Sequence, residues 1–145
     1  MKRSINLYKP TEHDYDSITS LWEKSVRATH TFLTEEDIAY FKPLVRNEYL
    51  KSVDLTCTID ENNKITAFMG ISGRHLEMLF VHPDKRGHSL GKYLLNHAID
   101  NLNVKSVDVN EQNEQAVAFY LHMGFEVYSR DAFDSMGKPF PILHL

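Results

Sequence analysis

Between His75 and Gly91 the chain reads HLEMLFVHPDKRGHSLG, a stretch that holds residue types able to do chemistry. His75 and Glu77 stand two apart in an apolar run whose alternation predicts a strand. Both then fall on one face with Leu79 and Val81, while Leu76, Met78 and Phe80 fall on the other. Either side chain can accept a proton there, and an imidazole with its ordinary pKa near ~6.5 suits a base without any shift. Pro83 ends the strand by removing a backbone donor. Beyond it, Leu90, Leu94, Leu95, Ala98 and Leu102 recur at helical spacing. The first N–H groups of a helix have no internal partner and sit at the positive end of its dipole. The junction therefore suits a pyrophosphate, with Arg86 and Lys92 adding charge.

An ordinary tight connection with a solvated basic face would carry the same glycines. Two other phosphate patterns fail outright. A dinucleotide fingerprint needs G-x-G-x-x-G and an acidic residue at the end of the next strand, which Gly87-x-x-x-Gly91 does not supply. No Gly-Lys-Ser/Thr follows, as a phosphate loop would require.

Arg86-Gly87-His88-Ser89-Leu90-Gly91 resembles the Arg/Gln-x-x-Gly-x-Gly/Ala acetyl-CoA signature of the GNAT N-acetyltransferases. Downstream, NEQAVAFYLHMGF from Asn113 to Phe125 resembles that family's second signature, Asn-x-x-Ala-x-x-x-Tyr-x-x-x-Gly-Phe. Two signatures in the right order are far more specific than either alone. The likeness extends over nearly the whole chain, and the run Trp22-x-x-Ser25-Val26-x-x-Thr29-His30-x-Phe32-Leu33 is similar to the bacterial YjaB-like branch. Ser89 departs from the pattern, standing where the first glycine is usual.

The resemblance implies one GNAT domain over residues 1–145 and an α+β (α/β) fold. Its central sheet would be mixed and mostly antiparallel, of about seven strands splayed between strands 4 and 5, flanked by about four helices. It implies an acetyl-CoA-dependent N-acetyltransferase, an acyltransferase that passes the acetyl group to an amine by direct attack in a ternary complex. Acetyl-CoA is then a cosubstrate, and no metal is called for. Arg86, Gly87, His88, Ser89, Leu90, Gly91 and Lys92 would hold the pyrophosphate. Leu79, Phe80 and Val81 would run beside the pantetheine arm, with the Leu79 N–H polarising the acetyl carbonyl, in the manner of strand addition to an edge. Counted back from Arg86 without a gap, His75 takes the place of the base glutamate of the histone-acetylating branch, and Glu77 is the alternative. Asn113 would bond the pantetheine arm, although a helix N-cap explains it equally. Tyr120 would protonate the leaving thiolate, although a tyrosine on an apolar helix face is also an ordinary core aromatic. His30, Phe32, Tyr40 and Phe41 are the acceptor-side residues. For the three aromatics the alternative is core packing, and for His30 a cation bonding the last carbonyls of its helix. A competing reading is a non-catalytic acetyl-CoA-binding sensor or regulatory module, and a remote one is a phosphate-binding domain unrelated to coenzyme A.

The elements that must position these residues are legible along the chain. Ile5–Tyr8 reads as a first strand. A helix begins near Thr11, which can pair with Asp14 as a capping box, and carries the stripe Ile18, Leu21, Trp22, Ser25, Val26 and Thr29. Thr34 caps a second helix that Pro43 should break or kink. Val53–Ile59 and Lys64–Ser72 alternate as a hairpin around Asn62 and Asn63, and with the strand after Gly73 they predict an antiparallel run of three. The helix over 89–102 leads to a strand at 105–110, parallel to the fourth by a right-handed crossover. The Asn113 helix, closed by Gly124 as a left-handed cap, precedes a strand at 125–129. A polar loop over 131–137 and a last strand at 140–145 follow.

Length and composition bound the rest. A chain of 145 residues with 42% hydrophobic and 25% charged residues is an ordinary globular domain able to bury its own core. A net charge of -4 gives no electrostatic case for nucleic acid. Cys57, the single cysteine, allows no internal disulfide and has no neighbouring base that would make it a nucleophile. The start MKRSINLYKP lacks the apolar core of a signal peptide, and no apolar run reaches membrane-spanning length, so the expected setting is cytoplasmic, with no membrane partner. The expected partners are acetyl-CoA and an amine-bearing acceptor, a small molecule or a protein. Monomer and homodimer both remain open.

Overall fold

The structure is a computed structural model and describes residues 5–86 and 89–145. Gly87 and His88 of the expected pyrophosphate turn lie outside the described residues. Two compact units divide the chain, Met1–Val104 and Lys105–Leu145.

The first unit opens with β1 (Asn6–Tyr8). The Thr11 N–H donates to the Asp14 carboxylate at 2.9 Å, so the expected box forms. It closes a 3-10 turn over Glu12–Asp14, however, and α1 itself runs Tyr15–Thr29. Ile18, Leu21, Trp22, Ser25 and Val26 are buried along it, as their spacing predicts. In α2 (Glu35–Leu44), Thr34 and Asp37 exchange the two bonds of a capping box, at 3.0 and 3.1 Å. Pro43 does not stop the winding. The chain loosens into a π-turn at Val45–Tyr49 and then tightens into a 3-10 turn at Leu50–Ser52. Pro43 has no N–H for the Ala39 carbonyl, and its ring pushes that turn open, while burial of Val45 and Leu50 keeps the segment wound against the core.

Strands β2 (Asp54–Ile59), β3 (Ile65–Ser72) and β4 (His75–Val81) form the expected antiparallel run, and β1 joins its outer edge through β2. Asn63, at φ 61°, makes the first hairpin turn, and Gly73, also at 61°, makes the second. One face of this sheet carries Leu55, Cys57 and Phe68. They join Ile18, Leu21, Trp22 and Val26 of α1 and Ile38 of α2 in the core, with Met78 and Phe80 packed against them. The opposite face carries Met69 and Ile71, and α3 (Leu90–Asn101) packs against β3 and β4 with Leu94, Leu95 and Ala98 buried.

The second unit comprises β5 (Ser106–Asn110), α4 (Glu114–His122), β6 (Ser129–Asp131) and β7 (Ile142–His144), with β7 antiparallel to both other strands and α4 against β5. Gly124, at φ 102°, turns the chain out of α4 as expected. The strand expected at 125–129 instead begins at Ser129. Ser129 pairs with His144 in antiparallel register, and the last strand starts only at Ile142, past Pro139 and Pro141, which cannot donate to a ladder. The segment 125–128 is irregular, and Tyr128 is 71% exposed.

Candidate active site

The geometry of β4 starts from its pairing with β3. His82 donates its N–H to the Thr66 carbonyl at 2.8 Å. Backbone polar groups alternate sides along a strand, so the N–H groups of Phe80 and Met78 also point toward β3, and those of Leu79 and Val81 point to the opposite edge. A ligand that adds as a strand needs that direction.

Nearer its start β4 carries a bulge, and one sequence-based expectation is corrected there. Ile71 pairs with Leu76 and Gly70 with Met78, so Glu77 is an extra residue with no partner in the register. Ile71 and Gly70 face opposite sides of β3. Leu76 therefore faces the α3 side, where it is fully buried, and not the side of Met78 and Phe80. His75 pairs with Ser72 and lies on the side of Gly70 and Phe68, the α1 and α2 side. Strict alternation would have put His75 with Leu79 and Val81. The extra residue reverses that, so the two expected bases do not stand in a simple i, i+2 relation. Glu77 is exposed and His75 half-buried.

Downstream, Pro83–Lys85 makes one 3-10 turn, and Arg86 leads on to Ser89. Ser89 caps α3 in the left-handed region, at φ 61° and ψ 21°, with no bond from its hydroxyl to the helix. Its carbonyl accepts the Tyr93 N–H at 2.9 Å, which starts the helical ladder and leaves the N–H groups of Leu90, Gly91 and Lys92 at the open end. Positive φ is what the usual glycine at this position supplies without strain. Arg86 and Lys92 are exposed beside this end, so the residues present fit a pyrophosphate.

At the far end of α1, His30 is the C-cap residue. Its N–H donates to the Val26 carbonyl at 2.7 Å, and its carbonyl accepts the Leu33 N–H at 3.0 Å. Its ring lies 5.4 Å from that of Phe32 and 6.2 Å from that of Phe80. Phe80 in turn stacks on the buried Phe68 at 5.5 Å. The structure thus brings one of the four acceptor-side candidates, His30, against β4, with Phe32 beside His30. Phe41 packs against the core of the first unit, and Tyr40, 41% exposed, meets it edge-on. Burial holds the His30 imidazole down to about 4, so it is neutral near pH 7 and does not serve as a cation for the end of the helix.

Two candidates belong to the second unit. Asn113 caps α4, its side chain accepting the Ala116 N–H at 3.2 Å, so its capping role is real. Tyr120 is buried edge-on to Phe119 and Phe125, at 5.2 and 5.9 Å, and burial pushes its phenol well above the usual range. The same unit holds a cluster that the sequence did not reveal. His144 bonds Asp108 through Nδ1 at 2.5 Å and Asp131 through Nε2 at 2.7 Å, and those two carboxylates raise its pKa. The three residues come from three strands far apart in sequence, so no local motif announces them. Cys57 is fully buried in the first unit, its thiol pushed up to about 12 by desolvation, and is no nucleophile.

Residues 29–139 match the acetyltransferase (GNAT) domain family. The chain belongs to the GNAT acetyltransferases. It is 38% identical to the peptidyl-lysine N-acetyltransferase YjaB of Escherichia coli strain K12, over 97% of this chain and 95% of that one. The solution structure of apo-form YjaB from Escherichia coli superimposes with a TM-score of 0.89 at 37% identity, covering 98% of this chain and 96% of the other. PaiA N-acetyltransferase from Thermoplasma acidophilum, solved in complex with coenzyme A, shares the fold at a TM-score of 0.76 and 18% identity over 98% of each chain. The expected GNAT fold and acetyltransferase class are borne out, and acetyl-CoA follows as the cosubstrate of this GNAT chain. Among the described residues there is no group of side chains able to hold a metal, and no helix is long and apolar enough to cross a membrane.

Proposed function

We propose that this chain is a single catalytic domain that transfers the acetyl group of acetyl-CoA to the side-chain amine of a lysine, by direct attack within a ternary complex. The observation that carries the reading is the backbone of β4. The donors of Leu79 and Val81 point away from β3, and eight residues beyond Val81 the left-handed Ser89 opens α3. In this reading the pantetheine arm lies beside Leu79, Phe80 and Val81 and is bonded by Asn113. The pyrophosphate meets Arg86, Ser89, Leu90, Gly91 and Lys92, together with Gly87 and His88. Acetyl-CoA supplies an activated acyl group as its thioester.

The chemistry asked of the chain is then modest. The amine nitrogen bonds to the thioester carbon and the carbon–sulfur bond breaks. The Leu79 N–H donates to the carbonyl oxygen on which charge develops. A base at the start of β4, His75 or Glu77, takes the proton lost by the nitrogen, directly or through water. Tyr120, kept protonated by burial, gives its proton to the departing sulfur. Direct attack is favoured because the lone thiol, Cys57, is buried and protonated. The same buried thiol fits a reducing compartment such as the cytoplasm. A lysine acceptor is supported by the likeness to relatives named as peptidyl-lysine N-acetyltransferases. Thiol release from acetyl-CoA, with a lysine-containing peptide and its lysine-to-norleucine counterpart, tests the reading. Release with the first alone supports it, and no release with either, under conditions where acetyl-CoA binds, overturns it.

A further inference from the structure

On the side of the first sheet that faces α3, the helix packs against β3 and β4. Toward β1 and β2 the same face opens into a cavity of about 630 Å³, bounded by those strands, by β3 and by the last turn of α3. Alternation along β2 decides which groups face it. Asp54 and Thr56 turn toward the cavity, while Leu55 and Cys57 turn to the core under α1 and α2. Leu7, Ile71 and Leu102 add aliphatic walls. Leu7 is 38% exposed and Leu102 39%, so apolar surface lies open to water on both sides of the cavity. Thr56 is only 5% exposed, and the Lys9 ammonium lies 3.5 Å from its hydroxyl oxygen. Among the described residues neither Lys9 nor Asp54 has an ionic partner, and the Thr56 O–H has no acceptor. One cavity therefore holds a cation, an anion, a buried hydroxyl and uncovered aliphatic surface.

We propose that this cavity is a second binding site, apart from the acetyl-transfer site, for an α-amino acid with an aliphatic side chain. The carboxylate meets the Lys9 ammonium and the Thr56 O–H, the ammonium meets Asp54, and the side chain lies against Leu7, Ile71 and Leu102. The spacing suits such a ligand. Asp54 and Thr56 are two residues apart on one face of β2, about 7 Å between their Cα atoms. A carboxylate and an ammonium on one carbon stand about 3 Å apart, and a charged hydrogen bond of about 2.8 Å on either side extends the reach to about 8 Å. A ligand with the carboxylate alone would face Asp54 as a like charge, and a phosphate would do so more strongly. Covering Leu7 and Leu102 adds an apolar contribution that a small hydrophilic zwitterion lacks. The location sets this site apart from the others. His30 packs with Phe80 on the α1 side of the sheet, across from the cavity. Leu102 lies thirteen residues beyond Ser89, ~20 Å along the helix from the cofactor turn. The inference does not depend on the acetyl-transfer reading.

Titration of the full chain with L-leucine, followed by 1H–15N spectra with and without saturating coenzyme A, tests the proposal. Saturable binding with a Kd on the order of 1 mM or tighter is expected, little changed by coenzyme A, with the shifts concentrated in β1, β2 and the last turn of α3. Glycine, which has no side chain to cover Leu7 and Leu102, should bind at least about tenfold more weakly. Two substitutions read the charges separately, with 4-methylpentanoate, the leucine skeleton without its ammonium, as the second probe. Asp54→Asn should weaken L-leucine by about fivefold or more and leave 4-methylpentanoate unchanged or tighter, because it removes an attraction for the first and a repulsion for the second. Lys9→Met should weaken both probes. Lys9 and Asp54 are exposed, and the same spectra show that each variant keeps its fold. No saturable shift with tens of millimolar L-leucine, equal affinity for glycine, displacement by coenzyme A, or equal losses of both probes in Asp54→Asn would each overturn the proposal. Shifts confined to the α1 and α2 side would place leucine at the acceptor residues and overturn it too. None of these results touches acetyl transfer.

Discussion

Ser89→Gly tests the backbone account of the cofactor turn, because the structure supplies both sides of its energy. Ser89 sits at φ 61° and ψ 21° and its hydroxyl makes no capping bond, so removing the side chain removes no hydrogen bond to α3. A non-glycine residue in the left-handed region costs ~1–2 kcal/mol. Glycine's greater freedom in the unfolded chain gives back ~0.5–1 kcal/mol of that relief. The net is a gain of about 0.5 kcal/mol, or roughly 1–2 °C in Tm for a chain of this length. The backbone donors of Leu90, Gly91 and Lys92 survive the change, so acetyl-CoA affinity should move by less than tenfold, under about 1.4 kcal/mol. Thermal unfolding of the apo protein and titration calorimetry with acetyl-CoA read the two quantities separately. A Tm that falls by several degrees would show that the serine side chain stabilises the turn. An affinity loss well beyond tenfold would make its hydroxyl an essential phosphate ligand. Either result refutes the reasoning.

Tyr120→Phe keeps the ring against Phe119 and Phe125 and removes the buried hydroxyl. kcat should fall on the order of 10²-fold with acetyl-CoA binding little changed, and wild-type turnover would reject the acid role. Because burial raises the phenol's pKa, no loss of kcat from its ionisation is expected below pH ~10. His144 has a folded pKa raised by Asp131 and Asp108. Its stabilising contribution is therefore complete below the unfolded value near ~6.5 and is lost as pH rises through the folded value. Since Asp131 is 66% exposed, the effect should stay within ~1 kcal/mol. Urea midpoints measured from pH 6 to 9 should decline more steeply in wild type than in His144→Asn, and equal slopes would dispose of the idea. Cys57, fully buried with its thiol pushed up to about 12, should resist iodoacetamide in the folded protein, and rapid alkylation with loss of activity would contradict that burial.

Much of this was legible in the sequence, and the misses have identifiable physical causes. The Thr34 box, the α1 stripe, the turn at Asn63 and the left-handed Gly124 rest on local chemistry that a few neighbouring residues specify. Ser89 stood out because a serine occupied a position where glycine is usual, and its positive φ gives the reason for that preference. The bulge at Glu77 could not be read, because a bulge is a property of the pairing between β3 and β4. HLEMLFV alternates acceptably without one. The late start of β6 is likewise a matter of pairing, since Ser129, opposite His144, is its first residue in register with β7. The bond between the Thr29 hydroxyl and the His30 ring lay in adjacent residues, yet the stripe along α1 drew Thr29 into the core pattern and hid its second use. A hydroxyl bonding back four residues, next to a histidine at a helix end, is the signal that could have found it.

The central claim is direct transfer of the acetyl group from acetyl-CoA to a lysine amine, and intact-protein mass spectrometry combined with thiol detection tests it most directly. The protein mixed with acetyl-CoA alone should gain no acetyl group and release no coenzyme A. Adding a lysine peptide should start thiol release, with one acetyl appearing on the peptide for each thiol freed. A stoichiometric acetyl-enzyme formed before the peptide is added, or coenzyme A released with no acetyl on the peptide, would contradict the account.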